Sequence, residues 1–336
     1  SLSLHRDTIP VSSSGLGTRR LLGLAIQSLA VADGAVLLID EIESGLEPHR
    51  LRHLIRFLRN ATVRNAADAG EEGDSDAVMR AGQVFLTTHS PVAVCELYSP
   101  EVHVVRSTDE RLSIRSAREE LQALVRSHPE ALLGRSALVC EGKTEVGLIR
   151  GLESMWTSRN GGTPLAEKGV VVAEGGGTDK AAGVALRMAE LGYRCAFFGD
   201  SDRDPNPTVA ELEEAGVHVV RWDGSLCTEE RIANDLPAET LKALLDYLIE
   251  THGAHVLNLV ADELEIDGDE SPYDYFGIHY VDEIREAIAV TSVQHNWMKR
   301  IDYAEGVGKL LASAWTDLEG TDLAAKLTEV QAWAYA

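Results

Sequence analysis

"SALVCEGKTEVGLI" (136–149) joins an apolar, strand-like run to a helix-like one through Gly142-Lys143-Thr144, and its reading decides what kind of sheet follows. Gly-Lys-Thr ends the phosphate-binding loop G-x-x-x-x-G-K-[ST], whose backbone N–H groups cradle phosphates. That pattern needs a glycine at position 137, where the chain has Ala137. Leu138, Val139 and Cys140 continue a strand where a glycine-rich turn belongs, and Glu141 would set a carboxylate against the phosphates. The phosphate-loop reading fails. Glu141 and Glu145, on either side of Gly-Lys-Thr, become the residues to explain.

Outward from this stretch, short apolar runs alternate with amphipathic ones. Strands are expected at 137–140, 169–173, 194–199 and 217–221, with helices at 144–155, 178–191 and 207–215. Such alternation points to a doubly wound parallel sheet, in which ligands gather at the carboxyl ends of the strands. Three of these strands end in acids: "ALVC" in Glu141, "GVVVAEGGG" in Glu174 before its glycines, and "CAFFGDSDRD" in Asp200-Ser201-Asp202. Asp200 and Asp202, two apart, can face one cation. Acids crowded at one sheet edge are costly unless cations neutralise them, and hard oxygen ligands suit magnesium or manganese. Residues 228–336 read as mainly helical.

The chain has 336 residues, which favours more than one compact unit. Its longest apolar runs, such as "AVLLI" (35–39), are far short of the roughly 18 residues a bilayer span needs. No basic region precedes an apolar core at the N-terminus, so no secretory signal is read. Four cysteines without CxxC spacing suggest reduced thiols in a cytoplasmic protein with no zinc cluster. A formal charge of −23 argues at first sight against a nucleic-acid partner. A site built of carboxylates and divalent cations also reads as acidic in the sequence, so the charge does not decide the matter. Lysine is confined to Lys143, Lys168, Lys180, Lys242, Lys299, Lys309 and Lys326, a short list for any chemistry that needs an amine.

Residues 1–110 carry a second constellation. "SSSGLGTRR" opens an amphipathic helix, "VLLIDE" is a strand-like run ending in Asp40 and Glu41, "SGLEPHR" follows, and "VFLTTHS" leads to His89. Both apolar runs are expected to be buried parallel strands, and 61–82, polar and small, a surface loop. His49 and His53 fit a solvated helix face better than a metal pair. In this order the set resembles the ABC-type ATPase family, with the first stretch departing from the usual LSGGQ signature. The resemblance implies that Asp40 holds a magnesium ion through water, Glu41 polarises the attacking water and His89 senses the γ-phosphate. Eleven residues precede Ser12, too few for the family's phosphate loop. The chain is therefore expected to be the C-terminal portion of a longer, ATP-using protein, itself with negligible ATP hydrolysis.

"EGKTE" followed by "GDSDRD" within one β/α unit resembles the Toprim family of topoisomerases, primases and nucleases. Joined to the upstream ATPase half, it resembles the OLD (overcoming lysogenization defect) family of nucleases, in the class found beside a helicase gene, as in Gabija-type phage defence. The expected fold is α/β: an ATPase lobe over 1–115, a linker helix over 116–135, a Toprim core over 136–225 and a helical extension over 226–336. The resemblance implies a DNA endonuclease or nickase using two Mg2+ or Mn2+ ions, a helicase partner, a homodimeric full-length form and no membrane. Glu141 is implied as ligand and general acid or base, with Glu145, Asp200 and Asp202 as further ligands. "CTEERIANDLP" (227–237) offers Glu229 and Glu230, which a helix N-terminus would equally explain. "NWMKRIDYAEGVGKLL" offers Lys299 and Lys309 for transition-state charge, and Lys299 is preferred. The alternative is a non-catalytic DNA-binding Toprim module of the recombination-mediator kind. Such modules lose the acids, and this chain keeps them.

Overall fold

The computed structural model describes residues 5–6, 9–32, 35–68, 82–108, 111–266, 270–276 and 281–336. The chain divides into two compact units, one of Ser1–His103 with Val125–Leu133 and one of Val104–Leu124 with Gly134–Ala336.

In the first unit, two short strands, β1 (His5–Arg6) and β2 (Ile9–Pro10), pair antiparallel ahead of α1 (Leu16–Ala32). Then come β3 (Val36–Ile39), α2 (Pro48–Asp68), β4 (Gln83–Leu86) and α3 (Pro91–Glu96). β3 and β4 pair in parallel, with Val36 opposite Gln83 and Ile39 opposite Leu86. Leu51, Leu54, Ile55 and Leu58 recur on one face of α2 and are buried with Leu24, Ile39 and Ile42. The strands depart from the buried pair expected. Leu37, Ile39, Val84 and Leu86 pack on this core, while Val36, Leu38 and Phe85 stay 58%, 75% and 55% exposed. Successive strand residues face opposite sides, so a pair with its core on one side leaves the other wet. The surface loop expected from 61 is also corrected in part. α2 runs on to Asp68 through a segment containing Ala61, Ala66 and Ala67, good helix formers. Residues 69–81 lie outside the described residues.

The expected linker helix is broken. α4 is confined to Gln122–Ser127, flanked by 3-10 turns at Glu119–Leu121 and Pro129–Leu132. Pro129 brings no N–H and disfavours a helical His128, whose φ is −137° and ψ 57°. The division between units falls inside this segment, at Leu124. It also gives the second unit most of a two-stranded sheet of β5 (His103–Thr108) and β6 (Arg111–Ser116), ahead of the boundary expected at 115.

The second unit is built on β7 (Ser136–Cys140), α5 (Lys143–Arg159), β8 (Val170–Glu174), α6 (Thr178–Glu190), β9 (Arg194–Gly199), α7 (Val209–Glu214) and β10 (His218–Arg221). The strands are parallel in the order β10-β9-β7-β8. From β7 the chain steps to β8 on one side, then returns to β9 on the other. The switch point lies between β7 and β9, the place where sheets of this kind form a crevice outside their carboxyl ends. Helices complete the unit: α8 (Thr228–Asp235), α9 (Ala238–His252), α10 (His255–Glu263), α11 (Val281–Gln294), α12 (Ile301–Ser313) and α13 (Asp322–Tyr335). They share one core with the sheet, in which Leu138, Trp156, Phe198, Leu248, Ile288, Leu311 and Leu327 are buried. α12 lies against α5 through small residues. A Cβ on Gly147 would overlap Ala304, and one on Gly151 would overlap Glu305 O and Gly308 Cα. That close approach fixes the segment just before α12, where Lys299 stands.

Candidate active site

The crevice at the switch point is lined by acids from four elements: the ends of β7 and β9, α5 and α8. Glu141 continues β7 by one residue, its N–H donating to Phe198 O at 2.8 Å. Its Oε1 accepts from Thr178 Oγ1 at 2.7 Å and its Oε2 from the Asp200 N–H at 3.0 Å. Gly199 makes room for this carboxylate, since a Cβ there would stand 2.7 Å from Oε2. The glycines after Glu174 wrap the same strand end: Gly175 N–H donates to Cys140 O at 2.8 Å and Gly177 N–H to Glu141 O at 2.9 Å. Gly176 and Gly177 take φ of 80° and 107°, which glycine adopts readily.

Glu145 sits in the first turn of α5 and is buried, 2% exposed. Its Oε2 accepts the Gly142 N–H at 2.8 Å, and its Oε1 accepts from Thr228 Oγ1 at 2.7 Å. Thr228 opens α8 and also holds Asp200, whose Oδ1 accepts the Thr228 N–H at 2.8 Å and lies 2.7 Å from Thr228 Oγ1. Trp222 Nε1 donates to that same hydroxyl at 2.8 Å. A threonine hydroxyl has one proton to give. It satisfies Glu145 or Asp200 but not both, so the other contact requires a proton on the carboxyl. Burial, and then the Glu145 charge, push the Asp200 pKa up to about 8. Burial likewise raises that of Glu145. The cluster holds more negative charge than its surroundings solvate.

Glu229 is wholly buried. Its Oε1 accepts from Thr144 Oγ1 at 3.2 Å and from Lys299 Nζ at 3.1 Å. Burial works against the Lys299 charge, yet Glu229 beside it, with Glu145 and Asp200 near, holds the ammonium above the usual lysine range. Lys309 is instead paired with Glu305 at 2.6 Å along α12 and is 65% exposed. Glu230 caps its helix, its Oε2 accepting the Cys227 N–H at 2.9 Å. Glu230 thus takes the helix-start role that the sequence also allowed, and Glu229 points elsewhere because neighbouring helix residues diverge by about 100°. Asp202 lies exposed on the bend after Asp200. Arg203 pairs with Asp179, and Arg300 with Asp302 at 2.7 Å.

Glu141, Glu145, Asp200, Glu229 and Lys299 are therefore brought to one crevice. The residues sequence reasoning missed are the threonines between them, Thr144, Thr178 and Thr228. Thr144 in Gly-Lys-Thr and Thr228 in "CTEE" adjoin acids already singled out. Among the described residues, no three His, Cys, Asp or Glu side chains converge as ligands on one metal position. The carboxylates are turned toward hydroxyls, amides and the lysine.

In the first unit, Asp40 and Glu41 follow β3, and His89 follows the neighbouring β4. Thr87 Oγ1 donates to Asp40 Oδ1 at 2.5 Å and accepts the Glu41 N–H at 2.8 Å. Glu41 adopts φ 46°, uncommon for a residue with a side chain. Ser44 Oγ donates to its Oε2 at 3.0 Å. Arg20 donates to the carbonyls of Asp40 and Glu41 at 2.7 and 2.5 Å. Glu43, which the sequence did not single out, ties the His89 turn in place. It accepts from Thr88 Oγ1 at 2.6 Å and from the His89 N–H at 2.7 Å. Burial opposes its charge, but these bonds bring its pKa below the usual carboxylate value.

Residues 3–95 match an ATPase family model. Its description is "AAA domain, putative AbiEii toxin, Type IV TA system". The match covers Asp40, Glu41 and His89 and agrees with a partial ABC-like ATPase in the first unit. The expectation of negligible ATP hydrolysis finds no support in it. No curated protein matches the chain. Among the described residues, no helix is long and apolar enough to cross a membrane.

Proposed function

We propose that the switch-point crevice is the active site of a divalent-metal-dependent DNA endonuclease or nickase of the Toprim type, joined to an ATPase lobe as in the OLD family. The observation that carries the reading is the sharing of Thr228 Oγ1 by Glu145 and Asp200, both at 2.7 Å, in a crevice that also holds Glu141 and Glu229. Four carboxylates with Lys299 as their paired cation are a hard-oxygen donor set with charge left to neutralise. That set fits Mg2+ or Mn2+, with Glu141, Glu145, Asp200 and Glu229 as donors after side-chain rotation and Asp202, on the exposed bend after Asp200, as a fifth. Two bound ions would supply an activated water and stabilise the departing 3′ oxygen.

The chain's own residues supply the rest. Glu141, held by Thr178 and the Asp200 N–H, keeps one carboxylate fixed at the strand end and can take a proton from the attacking water. Lys299, partly exposed, can turn from Glu229 to a phosphate oxygen as charge develops there. The Thr228 hydroxyl keeps Glu145 and Asp200 adjacent. By the same resemblance, ATP held by the first unit in the full-length protein regulates the cut, and the partners are DNA, a helicase and a second copy; four cysteines without CxxC spacing suit a cytoplasmic protein.

The test is cleavage of supercoiled plasmid with Mg2+ or Mn2+ by wild type, Glu141→Ala and Asp200→Ala. Nicked or linear product from wild type alone is expected. Equal cleavage by all three would sink the proposal.

A further inference from the structure

The first unit carries a basic surface that neither the ATPase resemblance nor the carboxylate cluster uses. From Pro48 to Asn60, α2 contains Arg50, Arg52, Arg56 and Arg59 with His49 and His53, and no acid. With Leu51, Leu54, Ile55 and Leu58 turned to the core, Arg52, Arg56 and Arg59 fall at i, i+4 and i+7 along another stripe. This stripe faces a cleft of about 500 Å3 whose lining includes Arg56, Arg59, Arg126 and Tyr98.

The charges there do not cancel. Glu96 serves two arginines, Arg56 at 2.8 Å and Arg52 at 3.5 Å. Glu101 meets Arg59 at 2.7 Å. Arg126 brings a fourth guanidinium, so the cluster is net +2 in a chain of formal charge −23. Tyr98 is 54% exposed, and Arg59 and Arg126 lie 4.8 and 5.7 Å from its ring centroid. A guanidinium stacked on an aromatic ring is held in place while its N–H edge stays available to oxygen acceptors. Cationic forks beside an exposed aromatic ring suit phosphodiester oxygens. An acidic protein repels nucleic acid at long range, so contact needs a local surface of this kind.

We infer that this cleft binds nucleic acid through its phosphates, with Arg56 and Arg126 of its lining, and Arg52 beside them through the shared Glu96, as the contacting side chains. The site would hold nucleic acid whether or not the carboxylate cluster cleaves it.

Cys95 lines the same cleft and is half-buried, whereas Cys140, Cys195 and Cys227 are buried. Its labelling by a disulfide reagent therefore reports occupancy in the unmodified full chain. In EDTA and low salt, a saturating DNA duplex should slow Cys95 labelling about tenfold, and the protection should fall steeply with salt. Arg56→Gln/Arg126→Gln should remove most of the protection and make the log–log salt slope of DNA affinity about 2 shallower. The double variant Arg150→Gln/Lys168→Gln, which removes two cations of the second unit, should behave as wild type. Glu141→Gln should keep full protection even where plasmid cleavage is lost, which separates this inference from the nuclease reading. Unchanged Cys95 labelling at saturating DNA would overturn it. So would equal protection by polyglutamate or by inorganic phosphate, which would mark an acidic-peptide or small-anion site instead. Thermal melting identical to wild type keeps the arginine result from being a folding defect, and rescue by Arg56→Lys/Arg126→Lys would confirm that charge is what the cleft offers.

Discussion

Asp200→Asn should stabilise the metal-free protein at alkaline pH while removing its response to metal. In the native state burial, and then the Glu145 charge, raise the Asp200 pKa from 3.8 to about 8. The folded protein therefore keeps a proton that the unfolded chain releases near pH 4. The sign follows: this stability is complete below about pH 4 and is lost as pH rises toward 8. Each pH unit in that window removes about 1.4 kcal/mol, so the full span sets a ceiling of about 6 kcal/mol. Charges in buried protein sites interact with an effective dielectric near 20, which brings the expected loss to about 2–4 kcal/mol. Asparagine has no charge to develop and can still accept the Thr228 N–H that Asp200 Oδ1 accepts at 2.8 Å. Asp200→Asn should thus exceed wild type by about 2–4 kcal/mol at pH 8 in EDTA, and by under about 1 kcal/mol at pH 5. The assay is denaturant unfolding followed by tryptophan fluorescence. All five tryptophans, Trp156, Trp222, Trp297, Trp315 and Trp333, belong to the second unit, so the signal reports that unit alone. Saturating Mn2+ at about 100 times its Kd should return about 2.7 kcal/mol to wild type and nothing to Asp200→Asn. A wild-type stability that is flat from pH 5 to 8 in EDTA, or Asp200→Asn less stable than wild type at pH 8, would refute the reasoning.

Lys299→Met leaves the wholly buried Glu229 without its ammonium, and stability at pH 8 should fall by about 3–5 kcal/mol. Adding Glu229→Gln should restore most of that loss; failure to do so would show that Lys299 acts through packing instead. Thr228→Val keeps the side chain's shape but takes a hydroxyl from Glu145, Asp200 and Trp222, so unfolding should come about 1–3 kcal/mol sooner and Mn2+ titration should weaken. Gly151→Ala would drive a methyl into Glu305 O and Gly308 of α12, and should cost about 1–3 kcal/mol by the same fluorescence measurement. A change below about 0.5 kcal/mol would mean that the two helices separate freely.

The parallel sheet of the second unit was legible because β7, β8 and β9 are short apolar runs ending in acids or glycine, separated by amphipathic segments. Burial on both faces gives β7 such a run, and all five of its residues are buried. The same logic misled for β3 and β4, since an apolar run does not say whether both faces will be covered. At the site, Glu141, Glu145 and Asp200 stood out by their place after strands. Glu229 and Glu230 could not be separated, because the choice depends on which face of α8 meets α5, a tertiary matter. Lys299 was legible only through resemblance, for nothing local in "NWMKRID" places it 3.1 Å from Glu229. The threonines were hidden because a buried hydroxyl that bridges two acids has the same spelling as an ordinary helix-start residue.

The clasp between α5 and α12 sets an order in time as well as in space. Glu141 and Asp200 leave the ribosome long before Lys299, and the glycine face of α5 has no α12 to meet until residues 301–313 have followed. A nascent chain at that stage holds its acids with no ammonium among them and no helix to press them together. The crevice therefore forms late, with the whole second unit. Stalled chains ending before and after α12 should differ accordingly, the longer alone resisting protease across α5.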